Sequence, residues 1–451
     1  MTMHTDVRDV LDRIKTAQQQ PLGDPRFKSL LGLEKASTFS QSASATSGLT
    51  FYDLELGAKF LYPVLTPLRN MIPRVSGKGG IQAAWRAITA INTTGLRFGV
   101  SSANRGGVMA VATKDYTATY KGIGVETSVD FEAQYAGQGF DDIRAIGAKT
   151  GLEALMLGEE AMILGGNSSM PLGTTPTPTA TGLGTGGTLP TQTWSVICAA
   201  LTLDGLMNGS IAGGVQGSMT RLNADGTSDT FGGGVAKLSA PTTANTTGTT
   251  GSITASVTPV SGALGYAWFW GAAGSEVLGA ITTINSVVIT ATASGTQTAA
   301  SLGTSDNSTN ALAFDGLIYQ ARLPGSGAYV SAMPSGSAGI GTPLTSDSAG
   351  GIIELDVALK SMWDNYRLSP DTMWVNSQEA LNISRKILSG SQTAAQCFVF
   401  ESSQDLVGGG IMVRTYLNRF SMQGGSVIDI KVHPNMPAGT ILMTTRALPY
   451  P

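Results

Sequence analysis

The chain has 451 residues, with 28 Lys/Arg, 31 Asp/Glu and 58 Gly, so charged side chains make up 13 % against about 25 % in an average soluble chain. Low charge with 42 % apolar content excludes a solvated disordered polymer, and a net charge of −3 argues against a general nucleic-acid-binding surface. Two cysteines, Cys198 and Cys397, exclude a disulfide scaffold, and two histidines, His4 and His433, leave multi-His metal sites and Ser–His or Cys–His chemistry poorly supplied.

In chain order, Thr5–Gln19 is predicted as a short amphipathic helix, because Thr5 can cap it and Val7, Val10, Leu11 and Ile14 fall on one face. The start MTMHTDVRDVLDRIK has charges where a signal peptide needs an apolar stretch, and no apolar run approaches the ~18 residues of a membrane span, so the chain is expected to be made in the cytosol. The polar stretch ASTFSQSASATSG reads as an extended arm. In LYPVLTPLRNMIPRVSG, Pro63, Pro67 and Pro73 forbid a continuous helix or a central strand. Ile81–Ala90 and Val108–Tyr120 read as strands flanking the turn-rich NTTGLRFGVSSANRGG, which makes a long hairpin.

Phe140–Leu164 is the best helix: Asp141 and Asp142 suit its first turn, and Phe140, Ile143, Ile146, Leu152, Leu155, Met156, Met162 and Ile163 make an apolar stripe. Gly165 and Gly166 end it. Charge then almost vanishes: residues 174–310 carry seven charged side chains among many Thr, Gly and Ser. Runs such as TQTWSVICAAL, GSITASVTPV, ALGYAWFW and INSVVITATA, separated by turn residues, predict a β-sandwich over about 174–308, a self-contained module held by flexible linkers. Beyond it, Ile352–Tyr366 is helical by period, Thr372–Val375 is a strand, and Asn376 with Glu379 opens a second helix in the manner of a capping box. The tail is β again in CFVFE, IMVRTYLN, VIDIKVH and TILMTT. Helices and strands are segregated, so the class is α+β.

Catalytic motifs do not survive inspection. Gly182, Gly184 and Gly187 satisfy G-x-G-x-x-G but lie in a Thr/Pro/Gly stretch that reads as a connector, without the strand and helix a dinucleotide needs. No Ser has Gly on both sides at two residues' distance. Glu159 and Glu160 are adjacent and cannot converge as a dyad, which leaves them as a solvated or subunit-facing edge. His433 reads as a structural His beside a turn, and both cysteines as buried and inert. Tyr266, Trp268 and Trp270 share a strand face, either a core stripe or an exposed stacking surface. Catalytic, cofactor and metal residues are therefore expected to be none.

One charge pattern stands out. Leu56–Lys114 holds eight bases and no acid, and Asp115–Glu160 holds nine acids against three bases. Complementary surfaces between copies of the chain follow, with Lys78, Arg86, Arg97 and Arg105 set against Glu153, Glu159 and Glu160. The alternative partner for the basic arm is nucleic-acid phosphate.

The arm LYPVLTPLRNMIPRVSGKGG, the hairpin around Gly95–Gly107, the helix ending in EEAMILGGNSSMPLG, the later AFDGLIYQ and SMWDNYRLSPDTMWVNSQEALN, and the closing HPNMPAGTILMTT together resemble, in their order, the major capsid proteins of tailed bacteriophages, the Hong Kong 97-like fold. The similarity covers about 50–173 and 311–451. It implies an N-terminal helix and arm (1–75), an E-loop (76–120), a peripheral domain with a spine helix (121–173), and an axial domain with return strands of the peripheral domain (309–451). The insertion at 174–308, which departs from that pattern, looks like the immunoglobulin-like modules of some phage shells and is expected on the outer face. Function by resemblance is a non-enzymatic coat protein whose hexamers and pentamers close around double-stranded DNA, with portal and scaffolding proteins as partners and no membrane. Its place would be the virion capsid, assembled in the host cytoplasm, with no N-terminal scaffolding segment removed. An encapsulin-like compartment of the same fold, or a β-rich adhesin, is the alternative.

Overall fold

The computed structural model describes residues 62–77, 79–91, 99, 101–137, 141–389, 412–422 and 424–446. Two compact units divide the chain, Asn70–Gly124 and the residues on either side of it. The class is α+β with mostly antiparallel sheets. The expected helix at Thr5–Gln19, the polar arm after it, and CFVFE with Cys397 lie outside the described residues.

Pro67 opens the short helix α1 (Pro67–Met71), where its missing N–H costs nothing. The unit Asn70–Gly124 is built on β1 (Gln82–Ile91) and β2 (Val111–Thr119), paired antiparallel with an irregularity between Ile88 and Ala90. Trp85 faces Tyr116 across the ladder and stacks on it, with ring centroids 5.9 Å apart. No described residue from 70 to 124 is buried.

In the other unit, α2 (Phe131–Ala136) precedes the long α3 (Ile143–Gly165). Asp142 caps α3, its carboxylate accepting the Arg144 and Ala145 N–H groups at 3.1 and 3.2 Å. Two antiparallel sheets follow. Strands β3 (Thr179–Leu183), β8 (Ser252–Ser256) and β11 (Ser286–Ile289) form one, in the order β11-β8-β3. Strands β4 (Gln192–Leu201), β7 (Thr242–Thr246), β9 (Gly265–Gly271) and β10 (Val277–Thr282) form the second, in the order β10-β9-β4-β7. A hairpin of β5 (Ser218–Leu222) and β6 (Ser228–Gly232) and the short helix α4 (Leu203–Asn208) lie among them in sequence.

Trp194, Val196, Cys198, Tyr266, Trp268 and Trp270 form the core between the sheets with Ile253, Val287 and Ile289. The aromatic stripe is thus core, and the indole N–H groups of Trp194 and Trp268 are satisfied by Thr246 and Thr282 hydroxyls. The other faces of β4 and β9 are covered too: Ile197, Ala199, Leu201 and Phe269 pack with Val215, Val235 and Leu302 in a second cluster. Burial on both faces explains why these two strands read as continuous apolar runs and not as alternating ones.

The module is not held by flexible linkers, because its ends are pinned together by hydrogen bonds. The Leu172 N–H donates to Ser308 Oγ (2.8 Å), the Gly173 N–H to Asp306 Oδ2 (2.7 Å), and the Asn310 N–H to the Asn167 carbonyl (2.8 Å). The helix α5 (Leu317–Gln320) inserts Tyr319, fully buried, whose hydroxyl donates to the Gly262 carbonyl and accepts the Leu203 N–H. The G-x-G-x-x-G stretch is likewise a strand and its turn, not a connector. A Cβ on Gly182 would stand 1.9 Å from the Asn245 carbonyl oxygen, so glycine here permits close backbone approach.

Beyond the module, α6 (Ile353–Tyr366) and α7 (Ser377–Ser389) flank a sheet of β12 (Thr372–Val375), β13 (Thr415–Asn418), β14 (Ser426–Val432) and β15 (Ile441–Thr444), in the order β13-β14-β12-β15. Leu355, Leu359, Ile383 and Ile387 from the helices meet Met373, Val375 and Ile428 from the sheet. Asn376 caps α7 through the Gln378 N–H at 2.9 Å, but Glu379 does not complete the box: its Oε1 accepts the Gly439 N–H at 3.0 Å.

Candidate subunit interface

A buried polar site joins three distant segments at Glu160, on α3. Its Oε1 accepts the Leu68 N–H at 2.9 Å and its Oε2 the Arg69 N–H at 2.7 Å. His433, just past β14, lies 2.6 Å from Oε1 through Nε2, and both side chains are wholly buried. The Asn435 N–H donates to His433 Nδ1 at 3.1 Å, which assigns the ring proton to Nε2. The edge of the His433 ring arrangement is completed by Trp374, T-shaped at 5.9 Å. Burial alone would push the Glu160 carboxyl up; hydrogen bonds from His433, Arg69 and Leu68 outweigh it and hold the group below the ordinary carboxylate value. Beside it, Glu159 Oε2 lies 2.6 Å from Arg69 Nε. Two adjacent carboxylates thus fasten one turn of the arm, Glu160 by its backbone and Glu159 by its side chain.

This arrangement corrects the reading of Glu160 as part of a solvated or subunit-facing edge. Glu160 is sealed and fully hydrogen-bonded, because it has three N–H donors around it, so it offers no charge to another copy. Glu159 is engaged within the chain. Glu153 pairs weakly with Lys149 at 3.9 Å, one helical turn away. On the basic side, Lys78 and Arg97 lie outside the described residues, and Arg105 is exposed. Arg86 forms a cross-strand pair with Asp115, Nε to Oδ1 at 2.6 Å and Nη2 to Oδ2 at 2.9 Å. That pair raises the guanidinium and lowers the carboxyl from their ordinary values. The complementarity of a basic stretch and an acidic one is therefore used, in part, inside the chain: Arg69 with Glu159, and Arg86 with Asp115.

Apolar surface is what the chain leaves over. The helix α3 buries a seam of Gly147, Gly151, Glu160, Leu164 and Gly165, not its apolar stripe. Gly147 and Gly151 admit Val129 and Thr127 from the extended residues before α2, while Leu152 of the stripe is 53 % exposed. The hairpin unit shows more: Val75, Ile81, Trp85, Ile88, Val108 and Met109 are all over half exposed. The signal for this was in the sequence, as strand-like runs with no candidate cover.

Among the described residues no group of His, Cys, Asp and Glu could hold a metal ion, and no helix is long and apolar enough to cross a membrane. Cys198 is a buried free thiol, its pKa raised by burial. No protein-family model matches the chain, and neither a curated protein nor a solved structure was found to match it.

Proposed function

We propose that this chain is a shell-forming coat protein of the Hong Kong 97-like class, a major capsid protein that self-associates into hexamers and pentamers around double-stranded DNA. The observation that carries the reading is the hairpin unit Asn70–Gly124: among its described residues there are two strands, no buried residue, and an apolar and aromatic surface. An isolated two-stranded hairpin is marginal in water, so a surface of this kind asks for a neighbour's surface. The order of elements supports it: arm, hairpin, 23-residue helix, inserted sandwich, then a helix pair against a mixed sheet. With Glu159 and Glu160 committed within the chain, apolar contact through Trp85 and Ile88 carries the subunit interface in this reading, and charge has a secondary part.

The test is sedimentation velocity and negative-stain microscopy of the purified full chain, alone and with a co-expressed scaffolding protein. Closed shells of megadalton size are the expected result. A monomer that persists at high concentration in both conditions overturns the proposal. Shells that enclose a co-expressed enzyme and no DNA would assign the chain to the encapsulin-like compartment instead.

A further inference from the structure

One long groove, with about 1580 Å³ of free volume, runs between the β10–β11 edge of the sandwich, residues 326–344, the helices α6 and α7, and β15. Two end strands border it. Among the described residues β15 pairs only with β12, and β11 only with β8. Four consecutive residues of the β15 edge, Thr440–Met443, line the groove, as do Ser286–Val288 of β11. Successive residues point to opposite faces of a strand, so consecutive lining means that the groove meets each strand edge-on. Such edges offer backbone N–H and C=O groups to an added strand.

The charges along this groove are unbalanced in their bonding. Both carboxylates are occupied: Glu354 accepts the Thr345 N–H at 2.9 and 3.1 Å, and Glu379 accepts the Gly439 N–H at 3.0 Å and Asn382 Nδ2 at 3.3 Å. The cations Arg322, Arg385 and Lys386 have no side-chain hydrogen bond or ion pair among the described residues. Arg322 is the telling one. Its Nη1 is shut off from solvent with no acceptor, next to Tyr319 and Tyr266, whose hydroxyls already serve Gly262, Leu203 and Val260. Burial accordingly lowers the Arg322 pKa, the direction expected for a cation without a counter-charge. Arg322 as a whole is half-buried and lines the groove, so a carboxylate there would meet the accessible part of a guanidinium that has no counter-charge of its own.

We propose that this groove binds an extended acidic segment of a separate partner protein, added as a strand to the free edge of β15, with one of its carboxylates on Arg322. A strand suits a groove lined by two strand edges, and apolar lining by Ile281, Leu355 and Met362 suits alternate apolar side chains. The occupant is not another copy's own acidic stretch before α2, because Thr127 and Val129 already hold that stretch against α3. The inference does not depend on shell formation.

Fluorescence anisotropy with the full chain tests it, using a labelled peptide of alternating Glu and Val, a matched Lys/Val peptide, and a Glu/Val peptide N-methylated at alternate amides. Saturable binding of the first is expected, with at least tenfold weaker binding of the other two. Arg322→Ala, or Lys386→Glu if that variant melts early, should weaken the Glu/Val peptide at least tenfold without lowering the melting temperature. Absence of saturable binding overturns the proposal, as does equal binding of the Lys/Val or N-methylated peptide. Full displacement by millimolar inorganic phosphate would make this a small-anion site, and competition by a peptide of residues 122–132 would make the occupant a second copy; either result overturns it.

Discussion

Two β regions of this chain use similar sequence and end in opposite environments. β4 reads QTWSVICAAL and is buried on both faces; β1 reads QAAWRAITAI and has no buried residue. In the sandwich, sheet and loops cover both sides of β4, and buried indole N–H groups find hydroxyl partners. In the hairpin, Trp85 stacks on Tyr116 across the ladder and stays more than half exposed. The comparison teaches that an apolar strand reports the need for a cover without saying whether the same chain supplies it. Where it does, the strand contributes to folding; where it does not, the unmet need is available for association.

The contrast can be broken or sharpened by substitution. Trp268→Ala should have the largest effect, about 3–5 kcal/mol in equilibrium denaturation, because a wholly buried indole leaves a cavity between two sheets. A loss below about 1 kcal/mol would mean that the sandwich core lies elsewhere. Glu160→Gln should cost about 3 kcal/mol, since an amide presents one acceptor where three N–H donors converge. The sign of its pH dependence follows from the lowered carboxyl: the contribution is full above the ordinary value of 4.5 and is lost as pH falls through the lower folded value. Melting temperature against pH should therefore fall less steeply on the acid side in Glu160→Gln than in the parent; parallel curves would remove Glu160 from the acid response.

Tyr319→Phe should cost about 1–3 kcal/mol, because the Leu203 N–H and the Gly262 carbonyl lose their buried partner, and a thermal shift will read it. Unchanged melting would show that the sandwich is as independent of the body as its composition suggests. Smallest in stability is Trp85→Ala, about 0.5–1.5 kcal/mol and confined to the hairpin. Its effect on shell yield should be large by sedimentation. A variant that assembles like the parent would move the interface away from this face.

Much of the fold could be read from local pattern. The strand Thr372–Val375 falls where expected; the helices at 143–165 and 353–366 follow from 3.6-residue periodicity and that at 377–389 from Asn376 at its start, while Asp142, read into the first turn of its helix, is instead its cap. The β-rich character of 174–308 shows as charge depletion and short apolar runs between turns. The site was less legible. Adjacent acids at 159 and 160 look alike in sequence, yet one is sealed and one half-open, because Leu68, Arg69 and His433 approach from 92, 91 and 273 residues away.

What the sequence alone determined is therefore whatever depends on neighbours within a few residues: which segments are helix or strand, where they stop, and how polar each face is. Only the tertiary structure decided which polar residues are inside and which apolar faces stay bare. Gly182 needs no Cβ because Asn245 crosses it, α3 buries glycines and a glutamate while Leu152 of its apolar stripe stays exposed, and Arg322 stands without an acceptor beside a groove. The physical reason is that burial and hydrogen-bond pairing are properties of contacts closed over long loops, and a local pattern holds no record of which distant segment closes them.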